Sequence, residues 1–492
     1  MTDAARAFAR ARPWLTVLAL AQLGGCAVGP NFHSPPAPTA ATYAPEPPPA
    51  VTASAPGPGG EAQRFVQGAP VPARWWTAFG SPALDAMVDE ALAASPDLKS
   101  AEAALRQSQA LLSAQRGALL PSVELTYQAQ RAKNGAALSP PLADNSSLYS
   151  LHTAQVTVAY PLDLFGGVRR QIEQGKAQTE AQRFQYEAAR VSLAANVVQA
   201  AVQEASLRRQ VEAARDQVAA ARDVLALVRR QAALGALGVA DVAAQEAQLA
   251  QAEQTLPPLE KSLAQQRAAL AVLLGREPSR GLPQTLDLDA VGLPADLPLT
   301  LPSQLVRQRP DVRAAEANLH AASAGVGIAI AARLPSITLN GSAGGAAAQP
   351  GALLAHGDDF WSISAGLAQP LFQGGALLRR QRAAEAGLDQ AKAQYRSAVL
   401  NAFKDVSNTL DALRFDADGL KAAQAAEAAS GRSLALQKRQ LELGQVGTLA
   451  VLNAQQAHSQ AVVALAAARA ARYADTTALF QALGGGWWDA DR

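Results

Sequence analysis

Apolar positions recur along this chain with two periods, and the places where the period changes outline its parts. Over residues 82–117, Leu84, Val88, Leu92, Leu98, Leu105 and Leu112 return at helical intervals, and Pro121 stops the run. Residues 122–130 then alternate, with Val123, Leu125 and Tyr127 against Glu124, Thr126 and Gln128. Residues 149–160 alternate again: Ala154, Val156, Val158 and Tyr160 share one side, Thr153, Gln155 and Thr157 the other. Gly, Pro, Asn and Ser fill the gap as in a loop. These are strands of a length that suits a membrane barrel wall. From Gly167 to Ala233 the helical period resumes without a proline, over 67 residues or roughly 100 Å at 1.5 Å each. Leu207, Val211, Ala214, Val218, Ala221, Leu225 and Val228 keep the 3–4 spacing of a coiled-coil seam. A glycine turn, Gly235 to Gly238, reverses the chain. The return helix from Val239 is expected to break at Pro257-Pro258, resume to Leu274 and stop at Gly275.

This order of parts then repeats. Leu234-Gly235-Ala236-Leu237-Gly238 returns as Leu443-Gly444-Gln445-Val446-Gly447, an offset of 209. Tyr160-Pro161-Leu162 returns at that offset as Gln369-Pro370-Leu371, and Leu274-Gly275 as Leu483-Gly484. Ser95-Pro96-Asp97-Leu98 returns at an offset of 214 as Arg309-Pro310-Asp311-Val312, and Leu120-Pro121-Ser122 as Leu334-Pro335-Ser336. Two long copies indicate a duplication rather than a short-repeat solenoid. The second copy reads as helix 303–333, strands 336–345 and 358–369, a helix from Leu377 to Leu443 and a last helix to Leu483. The expected divisions are 1–25 signal peptide, 26–74 lipidated Pro-rich tether, 75–275 first repeat, 276–302 linker, 303–484 second repeat and 485–492 tail.

The tether and signal readings rest on the first sixty residues. Arg6, Arg10 and Arg12 precede a short apolar run from Trp14 to Leu23, well below the roughly 20 residues a spanning helix needs. Leu23-Gly24-Gly25-Cys26 follows and resembles a bacterial lipobox, with Cys26 the only cysteine. The lipobox implies a covalent lipid on Cys26, N-palmitoyl and S-diacylglycerol, several acyl chains giving firm anchoring. Ala27 in place of Asp points to the outer membrane. Loss of residues 1–25 leaves 40 basic and 40 acidic residues, so no basic face for nucleic acid is expected.

Each copy supplies two barrel-length strands, four in all. Four strands cannot close a barrel, for which about eight is the practical minimum. The remedy is a homo-oligomer whose subunits share one barrel and one helical tube. The motifs fit that picture. Cys26-Ala27-Val28-Gly29-Pro30-Asn31-Phe32, Trp75-Trp76 with Phe79-Gly80, and Tyr160-Pro161-Leu162-Asp163-Leu164-Phe165-Gly166-Gly167 occur in order. So do Leu270 to Pro278, Arg309-Pro310-Asp311-Val312, and Gln369-Pro370-Leu371-Phe372 with Gly374-Gly375. Together they resemble the TolC superfamily of outer-membrane efflux proteins, closest to its lipidated OprM/NodT-type branch. The resemblance implies a mainly α fold with a β-barrel part: a trimer with a 12-stranded outer-membrane barrel and a 12-helix periplasmic tube. It also implies a periplasmic adaptor, an inner-membrane pump of the resistance-nodulation-division type, and a passive duct exporting drugs or other small toxic compounds, with no catalysis and no cofactor. An exit duct of a type I secretion or metal-efflux system shares this fold. A structural coiled-coil envelope lipoprotein does not explain the alternating strands.

By the same resemblance, the turns at Gly235, Gly238, Gly444 and Gly447 meet the adaptor, glycine allowing a tight reversal through positive φ. Asp241 falls where relatives ring the closed aperture with carboxylates. The matching acidic position in the second copy is Asn453, giving an amide ring, with Leu449 as an apolar constriction. Tyr160, Phe165, Phe360, Trp361 and Phe372 flank strand ends, and Phe165 and Phe372 are expected to pack at the barrel-to-tube junction. The five histidines, His33, His152, His320, His356 and His458, show no metal-ligand spacing, and no phosphate loop or nucleophile elbow is present.

Overall fold

The computed structural model describes residues 27–44, 49–135, 147–353, 355 and 357–489. They contain six strands and eight α-helices. The strands are β1 (Arg64–Gln67), β2 (Ser122–Lys133), β3 (Leu148–Leu162), β4 (Asp296–Leu299), β5 (Ser336–Ala347) and β6 (Asp359–Ala368). The helices of the first half are α1 (Pro82–Ala94), α2 (Pro96–Gly117), α3 (Gly167–Ala233) and α4 (Val239–Leu273). Those of the second half are α5 (Pro302–Gln308), α6 (Pro310–Ala331), α7 (Ala376–Glu442) and α8 (Thr448–Ala482). The duplication is kept residue for residue: α3 and α7 both span 67 residues and α4 and α8 both 35, each pair offset by 209.

Two compact units emerge, and each draws on both halves. One takes residues 27–34, 105–181 and 315–395. It holds the four-stranded antiparallel sheet, ordered β2-β3-β5-β6. Directly opposed residues in such a sheet share a face. The register therefore lines up Leu125, Val156, Ala343 and Trp361 in one row and Val123, Val158, Gly341 and Ile363 in the next. Trp361 is 74% and Ile363 81% exposed. The other face carries Glu124, Thr157, Ser342 and Ser362 in register, with the two serine hydroxyls 2.8 Å apart. Among the described residues, β2 and β6 have no strand on their outer edges, so one chain leaves the wall open at both ends.

The second unit takes residues 35–104, 182–314 and 396–489 of the described chain. Its core is aromatic: Trp75 stacks on Phe480 at 5.3 Å, and Phe79 lies 6.2 Å from Tyr473, ring centre to ring centre. Leu84, Met87, Leu270, Leu274, Leu286, Leu297 and Leu305 are buried with them. Here β1 pairs in parallel with β4, two short strands beyond the four expected. The later part of the 26–74 stretch packs on this unit. Thr52, Gln63 and Val71 are buried, and the Gln63 amide donates to the Pro294 carbonyl and Thr476 Oγ1.

Proline acts in both directions here, starting new helices at two places and sitting inside a continuous one at another. The single helices expected over 82–117 and 303–333 are each two helices, broken before Pro96 and Pro310. A proline ring forces the preceding residue out of the α region. Ser95 (ψ 123°) and Arg309 (ψ 123°) comply, and Ser95 Oγ accepts the Leu98 N–H. Conversely, α4 runs through Pro257-Pro258 without the expected break. An interior proline costs about 3 kcal/mol. On this helix Leu256 and Leu259 pack against the buried Leu207, Val211 and Leu263, while Glu253 and Glu260, on either side of the prolines, pair with Arg222 and Arg215 of α3. That packing holds the helix through the missing donors.

Candidate functional site

The two helical hairpins reverse by the same chemistry. At the end of α3 the Gly235 N–H donates to the Ala232 carbonyl and the Ala236 N–H to Gln231. At the end of α7 the Gly444 N–H donates to Leu441 and the Gln445 N–H to Gln440. Both are Schellman motifs, which close the last carbonyls of a helix and need a left-handed residue at the turn. Gly235 (φ +76°) and Gly444 (φ +69°) supply it. Gly238 and Gly447 do not share that role. Their φ values are −87° and −82°, so they are extended N-caps of α4 and α8 and not positive-φ positions. Leu234, Val239, Leu443 and Leu449 stand exposed around the two turns.

Asp241 is the third residue of α4, and its carboxylate accepts the Gly238 backbone N–H at 2.9 Å. A carboxylate there closes an otherwise open donor and favours the positive end of the helix dipole. At the same offset the second copy has Ala450, so α8 starts without this cap. Leu449 and Asn453 are both exposed and lie one turn apart, on one face of α8. Leu452, between them, turns inward onto Val218, Ala221 and Ala252. The hairpin ends therefore present an exposed apolar and amide stripe on α8 and a carboxylate folded onto its own helix start on α4.

Cys26 lies outside the described residues. The residues after it are held in the sheet-bearing unit by Arg170, a contact between positions about 140 residues apart with no signal in local sequence. Arg170, 4% exposed, donates to the carbonyls of Ala27, Val28 and Gly29 and to Asn31 Oδ1. Gly29 and Gly166 allow this close approach: a Cβ on either would meet Gly327 or Ala27 backbone at 2.5–2.6 Å. Phe32 stacks on His320 at 4.3 Å, and His320 and Arg170 both bond Glu173. Burial opposes ionisation of Glu173, but those hydrogen bonds outweigh it and hold the carboxyl below its ordinary range. Tyr160 and Phe165 are half-buried, Phe165 giving its carbonyl to the Val28 N–H. Phe372, expected to pack, is 88% exposed, because the turn at Gly374 and Gly375 carries Leu371 and Phe372 away from their own chain.

A sheet with one apolar and one polar face and two open edges, on a chain with two glycine-ended helical hairpins, defines a wall segment of an outer-membrane channel. The comparisons agree. The chain matches the outer membrane efflux protein family over residues 87–276 and 301–485, and it belongs to that family. It is 30% identical over 478 residues to the toluene efflux pump outer membrane protein TtgC of Pseudomonas putida, covering 95% of this chain and 94% of that one. It is 31% identical over 418 residues to the pyoverdine export outer membrane protein OpmQ of Pseudomonas putida, covering 84% and 88%. The solved outer-membrane channel OprN superposes with a TM-score of 0.80 at 27% identity, covering 94% of this chain and all of that one. The protein is an outer-membrane efflux channel of the TolC-like fold, its barrel unclosed within one chain. Its role is transport.

Proposed function

We propose that three copies of this chain form the exit duct of a tripartite efflux pump. Twelve strands make the barrel, and the hairpins of all three chains make the tube. An inner-membrane pump of the resistance-nodulation-division type drives the cargo, and a periplasmic adaptor docks at the turns around Gly235 and Gly444. The observation that carries this reading is unmet surface: both sheet edges are open, and α7 exposes Leu378, Leu400, Phe415 and Leu436. Open edges and long apolar stripes are costly for an isolated chain and natural for a closed ring. The polar row Glu124, Thr157, Ser342 and Ser362 faces the lumen and offers an aqueous path, while the Trp361 face meets lipid. Cys26 carries the lipid, and Arg170 holds Ala27 to Asn31, the residues that follow it.

Cargo is chosen by the pump. The named relatives handle an aromatic solvent and a siderophore, so the duct passes small compounds of unlike polarity. Asn453 and Leu449 form the narrowest ring at the periplasmic end, with Asp241 behind it as a helix cap. The deciding experiment is native mass spectrometry of the detergent-solubilised protein with planar-bilayer conductance on the same sample. A trimer with small, uniform channels supports the duct. A stable monomer without conductance overturns it.

A further inference from the structure

The second hairpin places ionisable groups where the first buries leucines. The offset of 209 aligns Asp416 with Leu207 and Arg472 with Leu263. Leu207 and Leu263 form an apolar cluster with Val211 between α3 and α4. In the matching place between α7 and α8, Asp416 comes within hydrogen-bonding reach of Asp475, whose own counterpart is Gln266. Asp416 Oδ2 is buried and meets no donor among the described residues. An ionised carboxylate only accepts, so two of them face to face repel; a proton on one turns the contact into an O–H···O bond.

The charges around the pair do not remove the conflict. Arg472, on α8, is fully buried and donates to Thr52 Oγ1 at 3.0 Å and to the Glu61 carbonyl at 2.6 Å. Its Nε has no partner in the protein. Glu61, from the N-terminal segment, adds its own negative charge near Arg472. Arg469 is engaged by Asp289, and the Tyr473 hydroxyl donates to the Val291 carbonyl. Glu61 and Asp416 thus act on one guanidinium. Burial first, and the facing Asp416 second, push the Asp475 carboxyl up from its ordinary range to about 7. By contrast, the buried carboxylate of the first hairpin, Glu204, has two cations, Arg267 at 2.9 Å and Arg208 at 3.8 Å.

We propose that Asp416 and Asp475 form a proton-binding site that fastens α7 to α8 when a single proton is shared and loosens this hairpin when the proton leaves. The sign follows from linkage. A carboxyl whose folded value is raised contributes stability that is complete below the unfolded value, near 3.8, and is lost as pH rises through about 7. The first hairpin, with leucines at the aligned positions, has no such dependence there.

The test is hydrogen exchange read by mass spectrometry on the intact oligomer at about pH 5.5 and about pH 8.5, either side of the titration and corrected for intrinsic rates. Peptides covering 466–480 report on the site, and peptides covering 257–271 on the aligned stretch of α4. In the wild type, protection of 466–480 is expected to fall about tenfold or more between the two conditions, with 257–271 unchanged. Asp475→Asn, and independently Asp416→Asn, should remove that fall, because an amide donates at every pH. If either substitution prevents folding, the other decides. A wild-type ratio near one, or the same fall in wild type and variants, overturns the proposal. The readout does not use conductance, so its failure is distinct from failure of the duct reading.

Discussion

The α3–α4 and α7–α8 hairpins are two copies of one design, equal in length and turn, yet they are finished differently. The first is closed on itself. Arg215, Arg222 and Arg229 repeat every seven residues and pair with Glu260, Glu253 and Glu246. α3 exposes no large apolar side chain. The second has no such ladder: the aligned positions are Gln424 with Arg469, Gly431 with Val462 and Lys438 with Gln455. Six buried polar atoms on α7 and α8 meet no partner among the described residues, among them both amide atoms of Gln424, against one on the first hairpin, on Gln245 of α4. Its outward apolar side chains wait for another surface. Duplication therefore gave the chain one hairpin specified internally and one specified by what it meets.

The largest effect should come from that outward surface. Phe415→Asp together with Leu436→Asp puts charge on a stripe that is half or more exposed in one chain. The expected result is a folded monomer in native mass spectrometry and loss of conductance, with helix content by circular dichroism unchanged. If the trimer persists, α7 is not an assembly face.

Next comes the buried carboxylate of the first hairpin. Arg267→Met with Arg208→Met leaves Glu204 without a cation, and stranding a buried charge costs about 3–5 kcal/mol. Thermal unfolding should show a large loss. Asp416→Asn in the second hairpin should cost far less and, near neutral pH, can raise the midpoint by removing repulsion. Equal losses in both would erase the contrast between a paired and an unpaired site.

The turns rank third. Gly235→Ala and Gly444→Ala each place a Cβ in the left-handed region, at a cost of about 1–2 kcal/mol. Neither position has an atom within 4 Å of the added carbon, so backbone strain alone sets the loss. Gly238→Ala, at an extended φ, should cost less than either. A larger loss at Gly238 would contradict the division of roles between the glycines. Smallest is the ladder. All three pairs are exposed, so Arg222→Ala with Glu253→Ala should cost about 0.2–1 kcal/mol at low salt and less at high salt. Gln455→Glu, building one rung with Lys438, should return a few tenths of a kcal/mol, about the worth of an exposed helix pair.

Much of the fold was legible because it depends on neighbours close in sequence. Helical spacing marked α3, α4, α7 and α8, and alternation marked the four strands of the sheet and which side chains share a face. β1 and β4 were missed, since four-residue strands carry too little alternation and pair only across 232 residues, Arg64 with Asp296. Prolines misled because the same ring ends a helix at Pro96, where Ser95 is free to extend, and is absorbed at Pro257, where Leu207 and Val211 of α3 pack against the neighbouring Leu256 and Leu259. The glycine turns were visible as motifs, but which glycine needs positive φ was not. The charge cluster was invisible: Asp416, Arg472 and Asp475 each look like ordinary polar helix positions until two helices meet.

By itself, the sequence determined the periods, the duplication and the turn chemistry, because these are local: backbone sterics and side-chain spacing act within a few residues. Tertiary structure alone decided which copy of the hairpin is satisfied within the chain, where Arg170 takes hold of the residues after Cys26, and which carboxyl groups face each other. Those outcomes are differences in burial and pairing between segments far apart in sequence, and the energy of a charge is set by what surrounds it.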